Sequence, residues 1–167
     1  MSHPDASFPD LAAFQAAARL LVGQVMRTPC LPAPRLSRLT GAQVFVKYEN
    51  MQVTNSFKER GALVKLSRLT DTERKRGVIA MSAGNHAQAV AYNATRMRIP
   101  ATIVMPVTTP YVKVAATRAH GAKVVLHGET LVESQEEVER LIAAHGYVLV
   151  HPYDDPDIIS GAATIAL

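Results

Sequence analysis

The sequence predicts an α/β protein, a parallel sheet of about four strands with flanking helices on both faces. Three observations lead there. From residue 77 onward four short apolar runs, "GVIAM", "ATIVM", "AKVVL" and "YVLV", begin near residues 77, 101, 122 and 147. The segments between them carry helix starts. Each run is apolar at nearly every position, as strands are when both faces are covered. Strand and helix in regular alternation imply right-handed crossovers and parallel pairing.

Taken in order, Leu11, Phe14, Leu21, Val22 and Val25 recur at helical spacing after "SFPD", where Pro9 or Asp10 offers a start, so residues 10–26 read as an amphipathic helix. The stretch "TPCLPAPRL" is expected to be irregular, because each proline removes a donor and restricts its predecessor. In "QVFVKYE", Val44, Val46 and Tyr48 alternate with Phe45 and Lys47, which reads as a strand. The segment "NSFKERGA" places Lys58 where an extended stretch gives way to a helix. Arg74, Lys75 and Arg76, preceded by Asp71 and Glu73, read as a solvated helix end. Within the alternating region the helix starts are Asn85 before His86, Pro110 before "YVKVAATRA", and Thr130 with Glu133 as a capping box. The last segment, "HPYDDPDIISGAATIAL", leaves a strand through a Pro and Asp turn and opens an apolar helix that reaches Leu167 without a cap. A helix left so would have unpartnered carbonyls, so the chain is expected to be part of something larger.

Composition narrows the function. The 167 residues are 48% hydrophobic with a net charge of +4 spread over both signs, a globular balance. Few aromatic residues and no reader motif point away from nucleic acid. No apolar run is long enough to span a bilayer. A lone Cys30 and an opening "MSHPDASFPD" without a basic flank or apolar core favour a reducing, cytoplasmic setting. The histidines are scattered without ligand spacing, so no metal site is assigned.

Two stretches can carry chemistry. A lysine at a helix start can be aimed into a cleft, where desolvation lowers its pKa enough for Schiff-base chemistry; the plain alternative is a solvated side chain in a first turn. The second stretch is "SAGNHAQA", residues 82–89, directly after an apolar run. Strand, small-residue turn and helix start gather backbone N–H groups at the positive end of a helix dipole, which suits a carboxylate or phosphate. Asn85 can add a side-chain donor, while Ala83 and Gly84 permit close approach. The competing possibility is Ser82 or Asn85 as a simple N-cap. There is no G-x-G-x-x-G fingerprint and no P-loop.

Together, "ENMQVTNSFKERGA" and "SAGNHAQ" closely resemble the fold type II pyridoxal phosphate enzymes, in the branch of threonine/serine dehydratases and serine racemases. The likeness runs from Thr28 to Thr164 and includes "TP", "KYENMQ", "VVLHG" and "HPYDDP". It implies the tryptophan synthase beta-like fold: residues 71–155 as a small α/β domain, residues 1–70 as the opening of a larger cofactor domain, and residues 156–167 as a truncated return into it. It implies further that Lys58 anchors pyridoxal 5'-phosphate as a Schiff base and later acts as a base. Phe57 would pack against the cofactor ring and Asn85 would bond its phenolic oxygen. Ser82, Ala83, Gly84, Asn85 and His86 would take the carboxylate of a small amino-acid substrate. The implied reaction converts L-threonine or L-serine to a 2-oxo acid and ammonia, in a full-length parent that is a homo-oligomer. Ala83 stands where eukaryotic serine racemases carry a serine base, which favours dehydration over a racemase-like activity.

Departures from the pattern are Asn55 and Ala89 where glycine is common, Val64 where asparagine is frequent, and "SGAAT" in place of "GQGT". By the same resemblance, the glycine-rich loop for the cofactor's phosphate is not in this chain, so weak cofactor binding is expected of it alone. Two readings of another class stand beside the enzyme: a non-catalytic truncated fragment, and a small-ligand binding domain that uses only the "SAGNH" turn.

Overall fold

The computed structural model describes residues 8–167; the reading of "MSHPDAS" as free of leader features lies outside the described residues. Helix α1, Leu11–Leu21, starts on Asp10, whose carboxylate accepts a hydrogen bond from the Ala13 N–H at 2.8 Å. It buries Ala17 and Leu21 against Leu63 and Val64. The helix stops at Leu21 and not at residue 26, because the chain turns through Gly23 at φ +70, leaving Val22 exposed.

The proline-bearing stretch is ordered, contrary to expectation. Strand β1, Cys30–Pro32, pairs antiparallel with β2, Phe45–Lys47, and α2, Pro34–Thr40, lies between them. Pro32 ends a strand of a two-stranded sheet and Pro34 opens a helix, the places where a missing N–H matters least. A 3-10 turn at Glu49–Met51 and a series of bends lead to α3, Lys58–Ser67. Lys58 thus follows turns, not a strand. Next, α4, Asp71–Arg76, is held by a complete capping box between Thr70 and Glu73. The sequence pattern suggested such a box at Thr130. There Thr130 does accept from the Glu133 N–H, but the Glu133 carboxylate turns to the Glu129 N–H at 2.7 Å.

Strand and helix then alternate: β3 Val78–Met81, α5 Asn85–Arg96, β4 Ala101–Met105, α6 Tyr111–Ala119, β5 Lys123–Leu126, α7 Leu131–His145, β6 Val148–Leu149 and α8 Pro156–Ala163. The four-stranded sheet has the order β5-β4-β3-β6 with every pair parallel. Period-two alternation sends Val78, Ala80 and Ile103 into a core with Leu66 of α3 and Val90 and Ala94 of α5. Their neighbours Ile79 and Val104 meet Val138 and Leu141 of α7 on the other face. Both faces of β3 and β4 are therefore covered. Edge strand β5 is only partly buried, with Lys123 and Leu126 exposed.

Helix α8 crosses α3 at a pair of glycines. A Cβ added to Gly161 would lie 2.6 Å from the Gly61 Cα and 2.7 Å from the Arg60 carbonyl oxygen. Only two hydrogen side chains allow this approach, and it brings α8 against the helix that carries Lys58.

Candidate active site

Lys58 is the first residue of α3, and its placement is fixed by buried polar contacts on either side. The Glu59 carboxylate, 1% exposed, accepts from the Thr54 N–H at 3.0 Å and the Thr54 hydroxyl at 3.1 Å, which ties the preceding turn to the helix. Asn55 in that turn takes the left-handed conformation at φ 56, which asparagine tolerates better than most residues. Glu49 anchors the base of the turn: its carboxylate accepts from Arg60 Nε at 2.8 Å, Arg60 Nη2 at 2.9 Å and the Thr28 hydroxyl at 2.6 Å. Burial works to raise the Glu49 pKa, but hydrogen bonds from Arg60 and Thr28 and the Arg60 charge together leave it below the ordinary value.

The Lys58 side chain reaches a cleft of about 370 Å³ whose walls include Phe57, Gly61, Pro152, Tyr153 and Ile158. Its Nζ donates to the Pro152 carbonyl at 2.5 Å and lies 5.3 Å from the centre of the Phe57 ring. Among the described residues no carboxylate pairs with it. Burial lowers its pKa.

The turn after β3 begins where the Ser82 N–H donates to the Val104 carbonyl at 3.2 Å. The Ser82 hydroxyl accepts from the Gly84 N–H at 3.2 Å, and Gly84 is the N-cap of α5 with open space where a Cβ would stand. Asn85 is therefore the first helical residue and not the cap, and its side chain is exposed. The N–H groups of Asn85, His86 and Ala87 precede the first ladder bond of α5, from Gln88 to the Gly84 carbonyl, which leaves them for an anion. Asn93 joins this helix to α3 by donating to the carbonyls of Glu59 at 3.2 Å and Ala89 at 3.0 Å.

His86 behaves differently from its neighbours in the turn. Its ring is 3% exposed and faces inward, with Nε2 donating to the Val150 carbonyl at 2.8 Å. Only its backbone N–H is left for a carboxylate. Lys58 stands near enough for its charge to oppose protonation of His86. Lys58 and His86 thus converge on one short segment, residues 150–152. Ser82, Ala83, Gly84 and Asn85 do not border the cleft that holds the Lys58 amine. Sequence reasoning missed that segment: "HPYDDP" marked a turn and a family likeness, but nothing in it signals that a proline carbonyl meets Lys58 across 94 positions of chain.

A cofactor with a polar ring and an aldehyde fits these residues. Ser56 Oγ, two positions before Lys58, and His86 Nδ1 are both buried without a hydrogen-bond partner, as is Thr109 Oγ1 in the loop after β4, and a buried polar atom left so calls for a partner. Beside Ser56 and His86 stand an amine with a lowered pKa, an aromatic ring and the opening amides of α5.

The profile of the family described as pyridoxal-phosphate dependent enzyme matches residues 21–167. An L-threo-3-hydroxyaspartate ammonia-lyase of Pseudomonas sp is 48% identical over 151 residues, which cover 90% of this chain and 47% of that protein. A catabolic L-threonine dehydratase, TdcB, of Staphylococcus aureus is 48% identical over 144 residues, covering 86% of this chain and 42% of that protein. Among solved structures, maize serine racemase superposes with a TM-score of 0.90 at 31% identity, over 95% of this chain and 48% of the other. The chain spans about half the length of the curated relatives it matches, 47% and 42% of the two named.

Proposed function

The chain belongs to the pyridoxal-phosphate dependent enzyme family, and from that premise we propose that the protein removes ammonia from L-threonine or L-serine, with Lys58 as the cofactor's anchor. The observation that carries this reading is a half-buried lysine with a lowered pKa and no acidic partner, held beside the helix that opens with the "SAGNH" turn. When bound, pyridoxal phosphate supplies an electron sink next to the substrate's α-carbon.

The protein's own residues do the rest. Phe57 would pack along the bound cofactor's ring and Asn85 would donate to its phenolic oxygen. The turn from Ser82 to His86 would receive the substrate carboxylate through N–H groups other than those of Ser82 and Gly84, which are already donated, and would so orient the bonds at the α-carbon. With the substrate in place, Lys58 would take the α-proton at Nζ; burial keeps a larger neutral fraction there than on a solvated lysine. The β-hydroxyl departs as water, and a water molecule re-enters as the nitrogen is released as ammonia with the 2-oxo acid. Ala83 offers no group to move a proton on the opposite face, which favours elimination over racemisation. The reading concerns a cytoplasmic, homo-oligomeric protein of the relatives' length, in which residues 71–155 form the smaller domain and residues 1–70 and 156–167 join the larger.

Borohydride reduction in the presence of pyridoxal phosphate, followed by peptide mapping, tests the anchor: the label is expected at Lys58, and a label on another lysine rejects the assignment. Ammonia and 2-oxo acid are then assayed from L-threonine, L-serine and L-threo-3-hydroxyaspartate. A Lys58→Ala variant is expected to lose at least about a thousandfold in rate, the scale of a positioned base.

A further inference from the structure

We infer that His151 is a positioning residue for Lys58: its imidazole folds the 151–154 turn so that the Pro152 carbonyl holds, and the turn shields, the Lys58 amine. His151 Nδ1 accepts two backbone hydrogen bonds, from the Asp154 N–H at 2.8 Å and the Tyr153 N–H at 3.3 Å. Pro152, enclosed between the two ends of that arrangement, has no N–H to give and a restricted φ. Its carbonyl is the acceptor of the Lys58 bond at 2.5 Å. The His151 ring also stacks edge-on against Tyr153 at 4.6 Å between centroids, and Pro152 and Tyr153 form part of the wall over Lys58.

Both ends of the turn are fixed independently of His151. Upstream, the Val150 N–H donates to Ile79 at 2.8 Å and the Val150 carbonyl accepts from His86 at 2.8 Å. Downstream, Asp155 caps α8 and pairs with Lys65 at 2.7 Å. Without the imidazole the middle of the turn has no other side-chain acceptor for its amides among the described residues. The ends therefore stay in place while the Pro152 carbonyl is freed to rotate. A loosened turn admits water to the amine, and desolvation is the cause that lowers the Lys58 pKa. The His86 imidazole on α5 feels the charges of both this amine and His151, and the Asp155 carboxylate at the start of α8 is occupied by Lys65. Loss of one acceptor opposes the effect of hydration, but a carbonyl exchanged for water changes little, since water also accepts.

The inference rests on Lys58 being the reactive amine, and its test separates the two. The 167-residue chain is treated with pyridoxal, which needs no phosphate site, across a pH series, then reduced with borohydride and mapped, with exposed Lys123 as internal reference. In the unaltered chain Lys58 is expected to label with a midpoint below that of Lys123. In His151→Ala the Lys58 midpoint rises towards that of Lys123, and at neutral pH the Lys58 yield falls about fivefold to tenfold, the scale of one lost hydrogen bond. His151→Asn, whose Oδ1 takes the place of Nδ1 as acceptor, restores both. A His151→Ala chain that melts earlier but keeps the Lys58 midpoint overturns the inference and leaves Lys58 as anchor. Labelling of the unaltered chain at other lysines in preference to Lys58 overturns both. Should His151→Ala fail to fold, hydrogen exchange of the unaltered chain decides: slow Tyr153 and Asp154 amides support the turn, and amides exchanging as in free peptide overturn it.

Discussion

Burial pulls the His86 imidazole from 6.5 down to about 4, against the raising effect of its bond to the Val150 carbonyl and with help from the charges of Lys58 and His151. A histidine depressed in the folded state binds its proton more readily when unfolded. Its contribution is therefore complete above pH 6.5 and is lost progressively as pH falls to about 4. That window spans roughly 3 kcal/mol at 1.36 kcal/mol per pKa unit. Glu49, also depressed, adds stability that disappears only at lower pH, below the ordinary carboxylate value of 4.5. Urea unfolding at pH 7, 5.5 and 4.5 is expected to show the decline, and His86→Gln, which cannot take up a proton, is expected to flatten it. An equal decline in the variant would assign the pH dependence elsewhere. The chemistry of this residue was only half legible in the sequence. "SAGNH" disclosed a turn that opens a helix, but the ring's partner belongs to the end of β6, 64 positions away, and local pattern carries no information about that meeting.

At the scale of elements, the alternation of apolar runs was read correctly because β3 and β4 are covered on both faces, and that leaves a signal at every position. The same logic failed where a single residue decides. Gly23 ends α1 inside an apolar pattern that continues to Val25, and prolines in "TPCLPAPRL" occupy the few ordered places open to them. The crossing of α3 and α8 was invisible because a glycine in a helix announces only flexibility until its neighbour is known. Gly161→Ala tests that crossing. Its added carbon would meet backbone atoms of Arg60 and Gly61 at 2.6 to 2.9 Å, and backbone within a packed helix cannot swing aside as a side-chain tip can. The expected loss is at least about 2 kcal/mol, in the upper range for overpacking. A lowered urea midpoint with an unchanged slope is the measurement that checks it. Because α8 supplies Ile158 to the cleft wall, the same variant is expected to weaken selective labelling of Lys58, linking a helix crossing to the site.

Across the whole molecule the distribution of buried contacts predicts which part opens first. One contiguous core joins the four-stranded sheet to α3, α5 and α8 through Leu66, Val78, Val90, Ile103 and Ile158. The two-stranded sheet and α2 stand apart from it: α2 buries none of its residues, β1 is exposed throughout, and Leu39 and Phe45 are 75% and 58% exposed. A two-stranded pair with so little apolar burial has little beyond its own hydrogen bonds to hold it. What attaches it is polar: the Lys47 amine donating to the Thr28 carbonyl at 2.7 Å, and Thr28 bonded to Glu49. Such a unit opens by local fluctuation, whereas Ile79, Ile103 and Val104 are released only with the core. Native-state hydrogen exchange is expected to show amides of Ala33, Gly41 and Tyr48, all bonded to backbone carbonyls, exchanging at least about a hundredfold faster than those of Val104 and Val150. Their bonding is no weaker; the difference lies in what must unfold to break it. Equal protection of the two groups would mean that the Thr28, Glu49 and Arg60 network binds the two-stranded sheet into the core's cooperative unit. Motion near residues 28–48 would then reach Lys58 directly through α3.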